Sequence, residues 1–161
     1  MTVGSGTQTP TFAATSGTQQ ITTNGKTIDY NLTVNAPGAT VQCQDALTLG
    51  STKTLTLING TLQLKAGVTS TVGGFVTSGT NQKYLQSTLA GTQATLSKAS
   101  GAVDVSYLTI QDINATGGAT WNAYLYNANV DAGNNTNWNF QGGPGIGGRG
   151  LLPAFGFGFT L

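Results

Sequence analysis

Thr54-Leu-Thr-Leu-Ile-Asn-Gly-Thr-Leu-Gln-Leu64 carries the clearest structural pattern in the chain. Leucines alternate with polar residues before Asn59-Gly60, and they do so again after it. Because successive side chains of a strand point to opposite faces, each half predicts a strand with one buried face. Asn-Gly between two such runs is a strong signal for a β-hairpin.

Similar short alternating segments run from Ile21 to Phe140, and none of them has helical periodicity. A second Asn-Gly pair, Asn24-Gly25, separates two of these segments. The chain has no Glu and is rich in Thr, Gly and Asn, which are residues of strands and turns. The alternation changes phase at Tyr107-Leu108, which predicts a corner or a bulge there. The sequence therefore predicts an all-β protein.

Two all-β architectures fit this pattern. One is a compact β-solenoid (parallel β-helix-like) body with extended termini, in which short apolar faces stack into one column. The other is an antiparallel β-sandwich or jelly roll, which the two Asn-Gly pairs favour. Asn is also common in the tight corners of solenoids, so both remain open. The predicted organisation is an extended N-terminal lead (1–20), a β-body (21–140), and a glycine-rich linker with an apolar C-terminal arm (141–161).

The composition excludes most catalytic chemistry. Among 161 residues there is no His and no Glu, and the acidic residues are five Asp. Ser-His-Asp and Cys-His mechanisms within one chain are excluded, as are the usual Cys/His zinc sites. Asp104 and Asp112 lie near each other in sequence, but the other carboxylates are isolated. We therefore predict no enzyme activity, no catalytic residues, no cofactor and no metal site.

The remaining reactive side chains have structural interpretations. Cys43 alternates with polar residues, which predicts a buried small apolar side chain. Asp45, Asp112 and Asp131 lie beside turn-like polar residues, where Asp commonly accepts hydrogen bonds from backbone amides.

Charge and hydropathy limit the partners. Six basic residues are spread through the chain without a patch, so nucleic-acid binding is not expected. No apolar run approaches the length that spans a membrane, so no membrane partner is expected either. The N-terminus has neither a basic region nor an apolar core, so no signal peptide is predicted and synthesis in the cytoplasm is expected.

The C-terminal arm is the candidate partner-binding segment. It follows the glycine-rich run Gly142–Gly150 and carries no charge. In an extended backbone its three alternating phenylalanines point the same way. Such a segment suits strand addition to the open edge of a neighbour, although folding back on its own body is an alternative. The predicted contact residues are Leu151, Leu152, Phe155, Phe157, Phe159 and Leu161.

A second candidate site is aromatic. Exposed aromatic rings on a β-body can form a stacking platform for sugars, whereas buried ones fill the core or plug the end of a stack. The candidate glycan-stacking residues are Trp121, Tyr124, Tyr126 and Trp138.

Residues 21–140 resemble β-solenoid segments of phage structural proteins. The likeness rests on Asn24-Gly-Lys-Thr-Ile28, Leu55-Thr-Leu-Ile-Asn-Gly-Thr-Leu62, Val105–Trp121 and Gly133-Asn-Asn-Thr-Asn-Trp-Asn-Phe140. With the cytoplasmic synthesis expected above, it implies a virion structural protein. We expect a capsid decoration (cement) protein, a homo-oligomer and specifically a trimer, which binds the major capsid protein or another virion protein. The alternatives are a glycan-binding tail-fibre or adhesin module and an extracellular filament subunit.

Overall fold

Alternating apolar and polar residues form strands throughout residues 9–141, the part of the chain that this computed structural model describes. One 3-10 turn, Leu125–Asn127, is the only helical element of these residues, and no helix among them is long and apolar enough to span a membrane. The strands are β1 (Thr11–Phe12), β2 (Thr18–Ile21), β3 (Leu32–Cys43), β4 (Thr54–Leu64), β5 (Thr69–Thr71), β6 (Gly74–Thr77), β7 (Lys83–Ser87), β8 (Ala94–Lys98), β9 (Ala102–Asp104), β10 (Leu108–Gln111), β11 (Ile113–Gly117), β12 (Thr120–Asn122), β13 (Val130–Asp131) and β14 (Trp138–Asn139).

The strands wind into a three-sided β-solenoid of about six turns, which confirms the first of the two predicted architectures. Within residues 9–141 every paired strand runs parallel to its neighbour, so each turn lies on the one before it. The strands β3 and β4 are long enough to bend around a corner and contribute to two faces. The first face contains β1, β6, β9, β12 and β14, together with the first halves of β3 and β4. The second face contains β2, β7, β10 and β13, together with the second halves of β3 and β4. The third face contains β5, β8 and β11.

The core is a set of columns in which one inward side chain from each turn lies on the next. On the second face the column is Val41, Leu62, Leu85 and Ile110, all fully buried. Burial of one such side chain contributes about 1.5–3 kcal/mol. The third face is filled in the same way by Ser70, Leu96 and Ala115.

Outward side chains also form columns. On the second face five glutamines lie one above another, which makes a ladder of carboxamides along the body. Gln42 donates to the Oε1 of Gln63 at 2.8 Å, so the ladder satisfies part of its own hydrogen-bonding capacity. The ladder consists of Gln20, Gln42, Gln63, Gln86 and Gln111.

The hairpin interpretation of the two Asn-Gly pairs is wrong. Asn59-Gly60 lies inside β4, where the strand bends between the first and second faces, and its flanking halves pair with parallel strands. Asn24-Gly25 forms a turn between the second and third faces. The physical reason is that Asn24, Gly25 and Gly60 have positive φ, and this conformation bends a solenoid corner as well as it closes a hairpin.

The body begins earlier than the predicted boundary at residue 21, because β1 and β2 already pair with β3. The phase change at Tyr107-Leu108 is a corner, as predicted, and Tyr107 has a φ of 52° there. The extreme N-terminus and the segment 142–161 lie outside the described residues.

Candidate functional site

The predicted partner-binding residues of the C-terminal arm, Leu151 to Leu161, lie outside the described residues. The described chain ends at Gln141, directly after β14 on the last turn.

The four aromatic candidates divide into two pairs. The rings of Trp121 and Trp138 are only 2% and 9% exposed, and they meet edge to face with centroids 5.1 Å apart. They pack inside the last turns and offer no open ring face to a ligand. Tyr124 precedes the 3-10 turn and Tyr126 lies in it. Their rings stack with centroids 5.5 Å apart, and Tyr126 is 57% exposed. Only this second pair lies where a sugar could reach it.

The aspartates do not converge. Asp104 lies in β9 on the first face, whereas Asp112 lies at the corner between β10 and β11. In residues 9–141 no three acidic, Cys or His side chains come close enough to hold a metal ion. As expected for turn residues, Asp45, Asp112 and Asp131 each accept a hydrogen bond from a backbone amide.

Asp45 is the most strongly bound of these carboxylates. It accepts hydrogen bonds from the backbone amides of Thr23 (2.9 Å) and Asn24 (2.6 Å) and from the Thr23 hydroxyl (3.0 Å). Partial burial acts to raise the pKa of Asp45, but these hydrogen bonds outweigh it and hold the pKa below its ordinary value. The carboxylate thus fastens the Asn24-Gly25 corner of one turn to the next turn.

Cys43 is buried in the core, as predicted. Burial, together with the nearby charge of Asp45, raises the pKa of the Cys43 thiol to about 12. The thiolate is the nucleophilic form, so this thiol is unreactive at neutral pH.

The burial of Lys83 was not predicted from the sequence. Its side chain is fully buried, and its ammonium donates to the carbonyl oxygens of Gly79 (3.1 Å) and Asn81 (2.7 Å). The ammonium also lies 5.6 Å from the centre of the Tyr107 ring. Burial lowers the pKa of Lys83. The sequence signal was its place in an alternating run, Lys83-Tyr-Leu-Gln-Ser87, where the inward phase falls on Lys83 itself.

Lys83 supports one wall of a groove at the corner between the first and second faces. The groove has a volume of about 420 Å³ and crosses three turns of the solenoid. Its floor is Asn59-Gly60-Thr61, one wall contains Pro37 and Gly38, and the other contains Asn81 and Gln82. The ring of Tyr84 lines the same groove and is 40% exposed.

A ladder of asparagine side chains runs along this corner. Asn81 donates to Asn59 at 2.7 Å, and Asn59 donates to Asn35 at 2.6 Å. The three residues are separated by 24 and 22 positions, close to one turn of the solenoid. The recurrence of Asn at intervals of 24 and 22 residues is the sequence pattern that could have predicted this corner.

No protein-family model, curated protein or solved structure matches the chain.

Proposed function

We propose that this chain is a virion structural protein, namely a capsid decoration (cement) protein that forms homotrimers. In this proposal the solenoid is the exposed body, and the C-terminal arm holds the major capsid protein or a neighbouring copy. The proposal assigns the protein no catalytic role, no cofactor and no metal. It places the protein on the virion after synthesis in the host cytoplasm.

The observation that carries the proposal is how the body uses its side chains. Inward columns fill the core, outward columns of Gln, Thr and Asn cover the faces, and the carboxylates fasten corners. A solenoid built in this way is a stiff, nearly neutral prism, since each turn is hydrogen-bonded to the next along its strands. Such a body suits a protein whose task is to make contacts. The resemblance of residues 21–140 to phage structural proteins points the same way.

The composition of the arm supports attachment by strand addition. Six large apolar residues of Leu151–Leu161 would contribute about 9–18 kcal/mol if buried. Ordering eleven backbones costs about 11–22 kcal/mol, so burial alone leaves almost no net gain. Backbone hydrogen bonds to a neighbour's strand edge would supply the missing stabilisation. Symmetric repetition then makes several weak contacts strong together.

Deletion of Leu151–Leu161 tests the proposal. We expect the truncated protein to keep the circular dichroism spectrum and thermal midpoint of the body. Because the arm is the proposed anchor, the variant should lose trimers in sedimentation velocity and should not bind emptied phage capsids in a co-sedimentation assay. The matched control replaces Phe155, Phe157 and Phe159 by Leu, which keeps the apolar pattern and should preserve both activities.

Unchanged oligomers and unchanged capsid binding after the deletion would refute the proposed role of the arm. Long polymers of the purified full chain in negative-stain micrographs would favour the filament alternative instead. Binding to host-cell glycans that is lost in Tyr124→Ala and Tyr126→Ala would favour the tail-fibre or adhesin alternative, because these two rings form the accessible aromatic pair.

A further inference from the structure

The groove at the corner between the first and second faces exists because the third turn rounds this corner with the fewest residues. Gly60 alone separates Asn59 from Thr61, whereas four residues separate the aligned Asn35 and Thr40 in the turn before. In the turn after, five residues lie between Thr77 and Lys83, whereas only two lie between the aligned Leu57 and Gly60. The two longer corners therefore stand out on either side of a short one. Across three turns at 4.7–4.9 Å per step, the resulting notch is roughly 10 Å wide.

The lining of the groove is neutral. Its polar groups are the carboxamides of Asn59, Asn81 and Gln82 and the hydroxyls of Thr40 and Thr61. No side chain that lines the groove within residues 9–141 is charged. A ligand with a formal charge would lose hydration there without gaining an ion pair. The chemistry therefore favours an uncharged ligand that has many hydroxyls.

Tyr84 adds an aromatic surface to these polar groups. It stands in an outward column whose aligned neighbours on both sides, Thr61 and Thr109, are threonines. A threonine is compatible with the strand at both aligned positions, so strand formation does not explain the tyrosine at position 84. Its half-exposed ring can pack against the C–H face of a sugar, while the surrounding amides pair with sugar hydroxyls.

The asparagine ladder orients its amides before any ligand arrives. The amide nitrogens of Asn81 and Asn59 both donate towards the N-terminal end of the solenoid, to Asn59 and Asn35 respectively. Asn81 lines the groove, and its Oδ1 accepts no hydrogen bond from the described residues. It can therefore accept a hydrogen bond from a ligand hydroxyl. Hydrogen bonds in such a chain polarise one another, which strengthens the terminal acceptor.

The buried Lys83 fixes the wall that carries Asn81. Its ammonium binds the carbonyl oxygens of Gly79 and Asn81 from below, so the corner of the fourth turn is fastened to the core. A wall that is already ordered loses little entropy when a ligand binds. Lys83 is a positioning residue, since it acts through Asn81 and its side chain does not line the groove.

We propose that this groove binds a neutral oligosaccharide, with Tyr84 as the stacking platform and Asn59, Asn81 and Gln82 as hydroxyl partners. The site consists only of residues of the described body and does not depend on the proposed role in the virion. If the protein assembles on the virion but binds no sugar, only the proposed sugar site is contradicted. If it binds sugar but does not assemble, only the decoration proposal is contradicted.

Saturation-transfer NMR on the full chain tests the site with maltohexaose, cellohexaose and mannohexaose as neutral probes. Oligogalacturonate and chitosan oligomers serve as the anionic and cationic comparisons. We expect at least one neutral probe to bind, and the two charged probes to bind more weakly than it does. Tyr84→Thr, which restores the threonine of the column, should weaken that binding about tenfold. The matched control is Tyr126→Thr, which removes another exposed tyrosine outside the groove and should leave the affinity unchanged.

Lys83→Met provides a second readout. Met fills a similar buried volume but cannot bind the carbonyl oxygens of Gly79 and Asn81, so affinity should fall while the backbone amide signals of Gly79–Asn81 broaden. The proposal is overturned if no neutral probe binds, if a charged probe binds as tightly, or if Tyr84→Thr binds like the wild type. Binding of unstructured peptides that competes with the neutral probe for Tyr84 would likewise overturn it in favour of a peptide site.

Discussion

Gly60 shows how one residue shapes a surface of this protein. Its φ is +85°, and a Cβ there would collide with the carbonyl oxygens of Ala36 and Ala39 in the preceding turn. The third turn can round its corner so tightly only because this position has no side chain. The depth of the neighbouring groove follows from the same property.

Gly60→Ala should therefore destabilise the body by about 2–4 kcal/mol, because it adds a backbone collision to the cost of positive φ. Urea unfolding followed by circular dichroism measures this change. The control is Gly67→Ala in the same turn, where φ is +70° but nothing lies within 4 Å of the new Cβ. This control should lose only about 1 kcal/mol. Equal losses in the two variants would show that the collision is relieved at no cost.

Asp45 makes a second residue-scale prediction, which concerns pH. The pKa of Asp45 is lowered in the folded state, so its stabilisation is complete above the ordinary Asp pKa of about 3.9. It is lost as the pH falls through the lowered value. Asp45→Asn should be less stable than the wild type by about 1 kcal/mol at neutral pH, because it weakens hydrogen bonds to a charged acceptor.

The difference between wild type and Asp45→Asn should begin to shrink as the pH falls below about 4. It should disappear once the pH is below the lowered pKa of Asp45, where both side chains are neutral. Urea unfolding at a series of pH values measures this difference. Asp29→Asn is the comparison, since its side chain is 83% exposed and pairs only with Lys53 at 3.7 Å. Such a surface pair contributes little, so this variant should match the wild type at neutral pH. A gap for Asp45→Asn that stays constant with pH would contradict the prediction.

At the scale of the element, strands could be predicted from alternation but their partners could not. Leu55, Leu57, Leu62 and Leu64 identify β4 and its inward face from the sequence alone. Whether neighbouring strands run parallel depends on corners, and Asn-Gly has the same backbone preference in a hairpin and in a solenoid corner. The repeat itself was hidden by its uneven length, since aligned residues lie 21 positions apart at Thr40 and Thr61 but 25 apart at Tyr84 and Thr109.

The groove could not be predicted from the sequence either, because the uneven repeat hid the register between turns. Its residues, such as Pro37, Asn59 and Tyr84, come from three turns, and only the register brings them together. Lys83 was unexpected because a lysine in an alternating strand is normally placed on the solvent side. Its burial became understandable once the carbonyl oxygens of its own corner were seen to surround the ammonium.

At the scale of the whole molecule, the solenoid is close to one-dimensional. Each turn contacts mainly the turns directly before and after it, so stability adds up along the axis. The central turns have two neighbours, whereas the first described turn, with β1 and β2, is paired with β3 alone.

Native-state hydrogen exchange should reflect this arrangement. We expect the slowest exchange in the backbone amides of β4 and β7, and progressively faster exchange towards β2 and β13. The control is Leu62→Ala, which removes a fully buried side chain from the central column. It should accelerate exchange mainly in the central turns, because the end turns already exchange through local opening. Uniform protection from β2 to β13 in the wild type would instead indicate that the described body opens only as a unit.

The parallel winding also has a consequence for synthesis on the ribosome. Each new turn needs only the turn that emerged just before it, about 17 to 26 residues earlier. No late segment has to slide between strands that were made first, because the strand order follows the chain order. The nascent protein can therefore coil up from its first turns while translation continues, and every completed coil serves as the template for the next.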